Sequence, residues 1–164
     1  MNTLKPVDHA ALGTNQAVII SLIVLAFVLD APALVGVVGA FMLVGTLLGK
    51  PGFGWLYTRA LRPLGWVKPD VLQDHPEPHR FAQGFGGVVV AAGFAALLGG
   101  MPVLGWVLAW IVVALAALNL FAGFCVGCAV YYWLSRLRVP GFVQPPPSDR
   151  TPGKRPDRQA NHVS

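Results

Sequence analysis

The chain has 164 residues, of which 55% are hydrophobic and 12% charged, and its 12 Lys and Arg outnumber its 7 Asp and Glu. A soluble domain usually carries about 25% charged residues, so this chain has too little polar surface to face water on all sides. The composition excludes an ordinary soluble domain. Nucleic-acid binding is excluded as well, because the basic residues flank apolar runs and form no stripe among exposed aromatics.

Four apolar runs predict an all-α integral membrane protein. They cover residues 15–29, 31–49, 81–100 and 103–134. A membrane-spanning helix needs about 20 mostly apolar residues, so the first run is short, the next two fit, and the last must tilt or emerge from the bilayer. Pro32 and Pro102 follow turn-forming residues, where proline opens a helix but cannot continue one. The expected fold is a four-helix bundle made of two helical hairpins.

The composition divides the chain into five segments. They are an N-terminal cytoplasmic segment (1–13), a first transmembrane hairpin (14–49), a cytoplasmic linker (50–80), a second transmembrane hairpin (81–138) and a tail (139–164). In the linker, apolar residues at helical spacing from Phe53 to Leu64 predict a short amphipathic helix on the membrane surface. The Pro-rich tail is predicted to be disordered, with free basic side chains that meet anionic lipid: Arg150, Lys154, Arg155 and Arg158.

The distribution of Lys and Arg predicts the orientation in the membrane. Basic residues lie before the first apolar run, in the linker and after the last run, whereas the two hairpin turns contain none. Cytoplasmic loops carry the excess of basic residues in membrane proteins. We therefore expect a multi-pass protein of the inner (cytoplasmic) membrane with both termini in the cytoplasm.

Two Asp-His sequences indicate an internal repeat. Residues 8–17 and 74–84 each begin with Asp-His and reach a glutamine, Gln16 or Gln83, just before an apolar run. Each copy continues through a helix, a proline turn, a second helix and a Gly-Phe pair. Most of these markers lie outside the apolar helices, which align easily by chance. The two copies would share one orientation and be related by an axis along the membrane normal.

The two cysteines, Cys125 and Cys128, belong to the second copy alone. If the last helix continues through residue 128, their Cβ atoms are about 5–6 Å apart on one face. A disulfide needs about 3.5–4.5 Å, so pairing requires a local adjustment that Gly127 allows. At the C-terminal end of a helix the dipole disfavours a thiolate, which predicts poorly activated thiols. A structural disulfide is not expected on the reducing cytoplasmic side.

A metal site is an alternative role for the cysteines. Two cysteines provide half of a tetrahedral zinc site. His9, His75 and His79 are predicted on the same side of the membrane as Cys125 and Cys128, although their spacing matches no zinc-finger pattern. Ligation would require the Asp-His segments to fold back over the helix end.

Packing is the other alternative. Gly123 and Gly127 are four residues apart and form a small-xxx-small face that lets another helix approach. Cysteine is a small hydrophobic residue that suits such a contact. Asn119 is predicted to be an interhelical hydrogen-bond partner at membrane depth.

Two short motifs resemble a known family. The sequences PHRFAQ (78–83) and FCVGC (124–128), the latter followed by tyrosine, resemble a bacterial membrane family catalogued as domain of unknown function 4395. The resemblance covers Val7 to Leu137 and implies a small four-helix inner-membrane protein with no established reaction. The family's cysteine motif falls on Cys125, Gly127 and Cys128. Its basic element falls on His79, Arg80 and Gln83.

The preferred hypothesis is a membrane thiol/disulfide or sulfur-relay protein that uses Cys125 and Cys128 as redox thiols. Its partner would be a cytoplasmic thioredoxin-like protein or a sulfurtransferase. A non-catalytic assembly subunit and a small-solute carrier acting as a homodimer are the alternatives. No enzyme motif is present, so whether the chain is an enzyme stays open, and no cofactor is predicted.

Overall fold

The computed structural model describes residues 4–147 and 151–156. In chain order the elements are β1 (Lys5–Asp8), α1 (His9–Val28), α2 (Pro32–Leu48), α3 (Gly54–Leu56), a π-helical turn (Tyr57–Leu61), β2 (Val71–Asp74), α4 (Pro76–Leu98), α5 (Pro102–Ala122) and α6 (Val126–Arg136). The described part of the chain is therefore mostly helical, as predicted.

Three helices, α1, α4 and α5, are long and apolar enough to cross a membrane, with 20, 23 and 21 residues. Large apolar side chains cover their outer surfaces and that of α2: Leu47, Val103 and Phe121 are 78%, 78% and 84% exposed. A water-soluble protein rarely presents such extended apolar surface. The chain is therefore a membrane protein, and the outer faces of its helices contact lipid.

The lengths of the first two helices differ from those predicted. The helix α1 begins at His9 rather than near residue 15, so it is long enough to span. The helix α2 has only 17 residues and a length of about 26 Å, at the lower limit for a bilayer core of about 30 Å. The polar residues before the first apolar run are helical because Asp8 caps them, its side chain accepting the Ala10 N–H at 3.0 Å.

The helices α2, α4 and α5 each begin at a proline: Pro32 and Pro102, as predicted, and Pro76, which was predicted to lie in the linker ahead of the third helix. Proline suits this position because its missing N–H would have no helical partner there. The helices α2 and α5 end at Gly49 and Gly123, whose φ angles of 67° and 63° are left-handed. A side chain is strained in that conformation, so glycine allows the chain to leave the helix sharply.

The helices α1, α2, α4 and α5 form a ring in which each helix packs against two of the others. The helix α4 packs against α2, α5 and α6, and α1 packs against α2 and α5. Glycines permit the closest approach: a Cβ added at Gly105 would lie 2.8 Å from the carbonyl oxygen of Gly93. The buried side chains between the helices include Ile19, Ile23, Val35, Val38, Met42, Val90, Ala109 and Val112.

A two-stranded antiparallel sheet, which the sequence did not predict, joins the starts of the two halves. Lys5 lies opposite Asp74, and Asp8 lies opposite Val71. This small sheet is an addition to the mostly helical fold, and it places both Asp-His sequences side by side at one end of the helices. Each half runs strand, helix, helix and short helix; the repeat predicted the two long helices of each half but neither the strands nor the short helix of the second half, and the duplication itself stays a prediction.

The predicted linker helix is shorter and more buried than expected. The helix α3 and the π-helical turn cover residues 54–61, and Phe53 and Tyr57 are only 5% and 1% exposed. An amphipathic helix lying on the membrane would keep its apolar face toward lipid. Here that face packs on the protein, and only Leu64, at 62% exposure, lies outside.

A buried hydrogen bond between α1 and the linker gives the first prediction. Asn15 Oδ1 accepts the backbone N–H of Phe53 at 2.8 Å, and Asn15 is 5% exposed. Asn15→Leu leaves this N–H without its acceptor, which should destabilise the fold by about 1–3 kcal/mol. Thermal unfolding in mild detergent measures the loss. Ser21→Leu, at an exposed position of the same helix, is the control, and equal melting temperatures for the two variants would contradict the assignment.

Candidate functional site

The cysteines lie at the start of a separate helix. Cys125 is the N-cap of α6, and its Sγ accepts the backbone N–H of Cys128 at 3.1 Å. A disulfide joins Cys125 to Cys128. The prediction that both lie near the C-terminal end of the last long helix is wrong, because Gly123 ends α5 before them. At a helix N-terminus the dipole favours a thiolate, so the position from which poor activation was predicted is not the one observed.

His79 connects the disulfide to a buried carboxylate. His79 Nδ1 lies 3.5 Å from Cys128 Sγ, and its Nε2 lies 3.0 Å from Asp74 Oδ2. Asp74 is the last residue of β2 and is 5% exposed. The order sulfur, imidazole, carboxylate is that of a nucleophile, a base and the acid that orients the base.

Asp74 carries a negative charge in this cluster. Burial alone raises the pKa of its carboxyl, but the hydrogen bonds with His79 and His9 outweigh burial and hold that pKa well below its ordinary value. His9 Nε2 lies 3.4 Å from the same Oδ2, and Asp74 Oδ1 accepts the His75 backbone N–H at 2.9 Å. An ionised Asp74 accepts the Nε2–H of His79, which leaves the His79 Nδ1 lone pair facing Cys128.

Residues 151–156, here called the strap, lie against the disulfide. The Cys125 N–H donates to the Gly153 carbonyl at 2.8 Å, and the Arg155 N–H donates to the Gly123 carbonyl at 2.9 Å. The Arg155 guanidinium also pairs with the Asp70 carboxylate. The prediction of a disordered tail is therefore wrong for the strap, and Arg155 is not free for lipid. Arg150 and Arg158 lie outside the described residues.

The disulfide lies between two cavities. A small cavity of about 50 Å³, with a mixed polar and apolar lining, is lined by both cysteines and by His9, Asp74, His79, Gly153 and Arg155. A larger, mainly apolar cavity of about 180 Å³ lies between α1, α4, α5 and α6. Cys125 and His79 line both cavities, so the disulfide is adjacent to both of them.

Two residues of the predicted basic element anchor a helix instead of the site. Arg80 Nε donates to the carbonyl oxygen of Thr46 at 2.6 Å. Gln83 Nε2 donates to the carbonyls of Met42 and Lys50 at 3.0 and 3.2 Å. Thr46 lies in the last turn of α2, whose carbonyls lack helical donors and attract positive charge, and Met42 and Lys50 lie just before and just after that turn. Of the basic element, His79 alone joins the cysteines.

The remaining motif residues have structural positions. A Cβ added at Gly127 would lie 2.5 Å from the Ala82 Cβ, so Gly127 lets α6 pack directly on α4. Gly123 supplies the left-handed turn rather than a helix-packing face. The predicted interhelical hydrogen bond of Asn119 is not found among the described residues, and its side chain lines both cavities.

The structure brings together part of the proposed metal ligands. His79, Cys125 and Cys128 offer ligand atoms within 4.8 Å of one another, and His9, Asp74 and His79 form a second such group. His75 belongs to neither group among the described residues, and its ring centroid lies 6.4 Å from that of Tyr132. Disulfide-bonded sulfurs do not act as thiolate ligands, so a metal would require the reduced pair. The metal hypothesis stays a prediction.

Sequence reasoning missed Asp74 and the strap as members of the site. The repeated Asp-His sequence marked Asp74, but its pairing with His79 depends on the unpredicted sheet. The contact of Gly153 with Cys125 joins residues far apart in the sequence, and no local pattern in the Pro-rich tail signals it.

Gly153 gives a test of the strap. A Cβ there would lie 2.7 Å from the Cys125 carbonyl oxygen and 3.0 Å from the Ala129 Cβ, and its φ of 90° disfavours a side chain. Gly153→Val should displace the strap and accelerate alkylation of the reduced cysteines about tenfold, equivalent to losing about 1.4 kcal/mol of contact energy. Gly141→Val, at a φ of 95° with no neighbour within 4 Å, is the matched control. Equal alkylation rates would contradict a covering role.

The site geometry can be compared with known proteins. A family model described as Domain of unknown function (DUF4395) matches residues 7–136, which include Asp74, His79 and both cysteines. No curated protein and no solved structure matches the chain. The match extends over most of the sequence and confirms the resemblance that the two motifs indicated. The chain belongs to the DUF4395 family, whose function is unknown.

Proposed function

We propose that this chain is a membrane thiol–disulfide exchange protein whose redox pair is Cys125 and Cys128. The observation that carries the proposal is the placement of the pair at the N-terminus of α6, with His79 Nδ1 3.5 Å from the Cys128 sulfur. The proposal includes a four-helix bundle of two duplicated hairpins in a bacterial inner membrane, with both termini in the cytoplasm, as the distribution of basic residues favours.

The exchange begins when a partner thiolate attacks Cys125 Sγ. The Cys125–Cys128 bond breaks, a mixed disulfide forms on Cys125, and the electron pair passes to Cys128 Sγ. His79 Nδ1 takes the proton of the first partner thiol as the thiolate forms and passes it to this sulfur. The second partner thiol then attacks the partner sulfur of the mixed disulfide, and its proton passes to the released Cys125. In total, two electrons and two protons pass from the partner dithiol to the cysteine pair.

Asp74 is a positioning residue in this scheme. Its carboxylate binds His79 Nε2 and so fixes the ring orientation and the tautomer that faces Cys128. Its second oxygen is held by the His75 backbone N–H, which prevents the carboxylate from turning away. The sheet β1–β2 supplies the rigid support for this arrangement.

The strap indicates how a protein partner would bind. It pairs with the backbone N–H of Cys125 and the carbonyl of Gly123, the groups that flank the disulfide. An extended segment of a thioredoxin-like or sulfurtransferase partner could pair with the same groups by strand addition. Cys125 and Cys128 are 5% and 3% exposed, so the strap must move before a partner reaches the sulfurs.

His79 provides the main test of the proposal. The full chain is reconstituted in lipid nanodiscs, and the rate of disulfide exchange with glutathione is followed by mass spectrometry. His79→Gln should lower the rate about a hundredfold, because proton transfer by a positioned imidazole contributes about 10²–10⁴-fold. His75→Gln, which changes a buried histidine outside the cysteine cluster, should retain the rate. Unchanged exchange in His79→Gln would contradict the mechanism and favour a non-catalytic assembly subunit.

A second prediction is that the effect of Asp74 on the exchange rate depends on His79. Asp74→Asn should slow exchange because it removes the charged acceptor of His79 Nε2. If Asp74 acts only through His79, the double variant with His79→Gln should be no slower than His79→Gln alone. A double-mutant cycle of exchange rates measures this. Additive losses would indicate that Asp74 acts through general stability rather than by positioning His79.

A further inference from the structure

We infer that the apolar cavity between α1, α4, α5 and α6 binds the head group of a membrane quinone, which oxidises the reduced Cys125–Cys128 pair. This inference rests on the proposed function and names the electron acceptor that renews the disulfide. In the step, the two thiols lose two electrons and two protons and form the S–S bond. The quinone gains these two electrons and two protons, and its two carbonyl oxygens become hydroxyls.

The size and lining of the cavity fit a substituted quinone ring. Its volume is about 180 Å³, and an apolar cavity of about 150 Å³ holds a benzene ring. The apolar lining includes Leu12, Ile19, Phe85, Val112, Leu115 and Ala116. A flat, mostly apolar ring gains from burial among such side chains.

The cavity also opens toward lipid. Phe85, Leu115 and Val130 line it and are 58%, 37% and 42% exposed on the apolar outer surface. A ligand with an isoprenoid tail can therefore place its ring inside while the tail stays in the bilayer. A water-soluble acceptor would need to cross this apolar rim, so the opening favours a lipid-soluble ligand.

Polar groups converge at the end of the cavity that reaches the disulfide. The side-chain amides of Gln16 and Asn119 line it and make no hydrogen bond among the described residues, so they can donate to quinone carbonyl oxygens. Cys125 lies at the same end, where its sulfur can approach the ring. His79 lines the cavity as well and can pass the proton of Cys128 toward the reduced quinone.

A membrane quinone would also explain how a disulfide is re-formed on the cytoplasmic side. Cytoplasmic thiols reduce exposed disulfides, so a functional disulfide on that side needs a dedicated electron acceptor. A quinone accepts two electrons and two protons together, which matches the stoichiometry of one cysteine pair. No described residue of the strap lines the apolar cavity, so acceptor and thiol partner would not compete for the same residues of the strap.

The test uses the full chain, reduced, desalted and mixed anaerobically with a short-tailed ubiquinone in nanodiscs. The wild type should convert one quinone per protein to the hydroquinone while the disulfide forms. Ala116→Phe fills the cavity and should slow this reaction roughly tenfold or more. Ala114→Phe, at an exposed position of the same helix, should react as the wild type does. Equal rates for the two variants would overturn the inference.

A second test labels the wild type with a photoreactive azidoquinone, so its result does not depend on whether a variant folds. On the wild type it should label residues that line the cavity, and labelling confined to lipid-facing positions such as Leu98 would overturn the inference. Glutathione exchange by the wild type separates the two proposals. If the wild type exchanges with glutathione but reduces no quinone, the proposed function stands and this inference is overturned. If its cysteines never exchange, both are overturned.

Discussion

The left-handed backbone at Gly123 determines the chemistry of the cysteine pair. Because this residue ends α5 at a φ of 63°, the chain turns and starts a new helix whose N-cap is Cys125. A continuous helix would have placed the same sulfurs at the negative end of a dipole. The break places them at the positive end, where a thiolate is stabilised. One backbone conformation thus reverses the electrostatic environment of the pair.

The second requirement of the site is a carboxylate that stays charged near a membrane. Asp74 satisfies it because β1–β2 pairing buries it beside two histidines and a backbone donor, which together hold its pKa well below the ordinary value. The charge is useful only because His79 lies between it and the sulfur. The sheet therefore contributes more to the site than to the apolar core, which the long helices build without it.

The helices could be predicted because apolar runs and prolines are local signals. The prolines at residues 32 and 102 marked two helix starts, and the family motifs marked His79 and both cysteines. The break before Cys125 was missed because the surrounding residues are apolar and suit a continuous helix. Asp74 and Gly153 were missed as site residues because their contacts join distant segments, and one sequence carries no information on such pairings.

The disulfide borders two cavities that differ in their lining residues. Both cysteines and the strap line the smaller cavity, whereas no described residue of the strap lines the apolar cavity open to lipid. A thiol partner needs water and backbone groups to bind, whereas a quinone needs an apolar enclosure. His79 and Cys125 line both cavities, so the proposed transfer of electrons and protons would pass through these two residues. Only the strap, held by two backbone hydrogen bonds and an ion pair, needs to open.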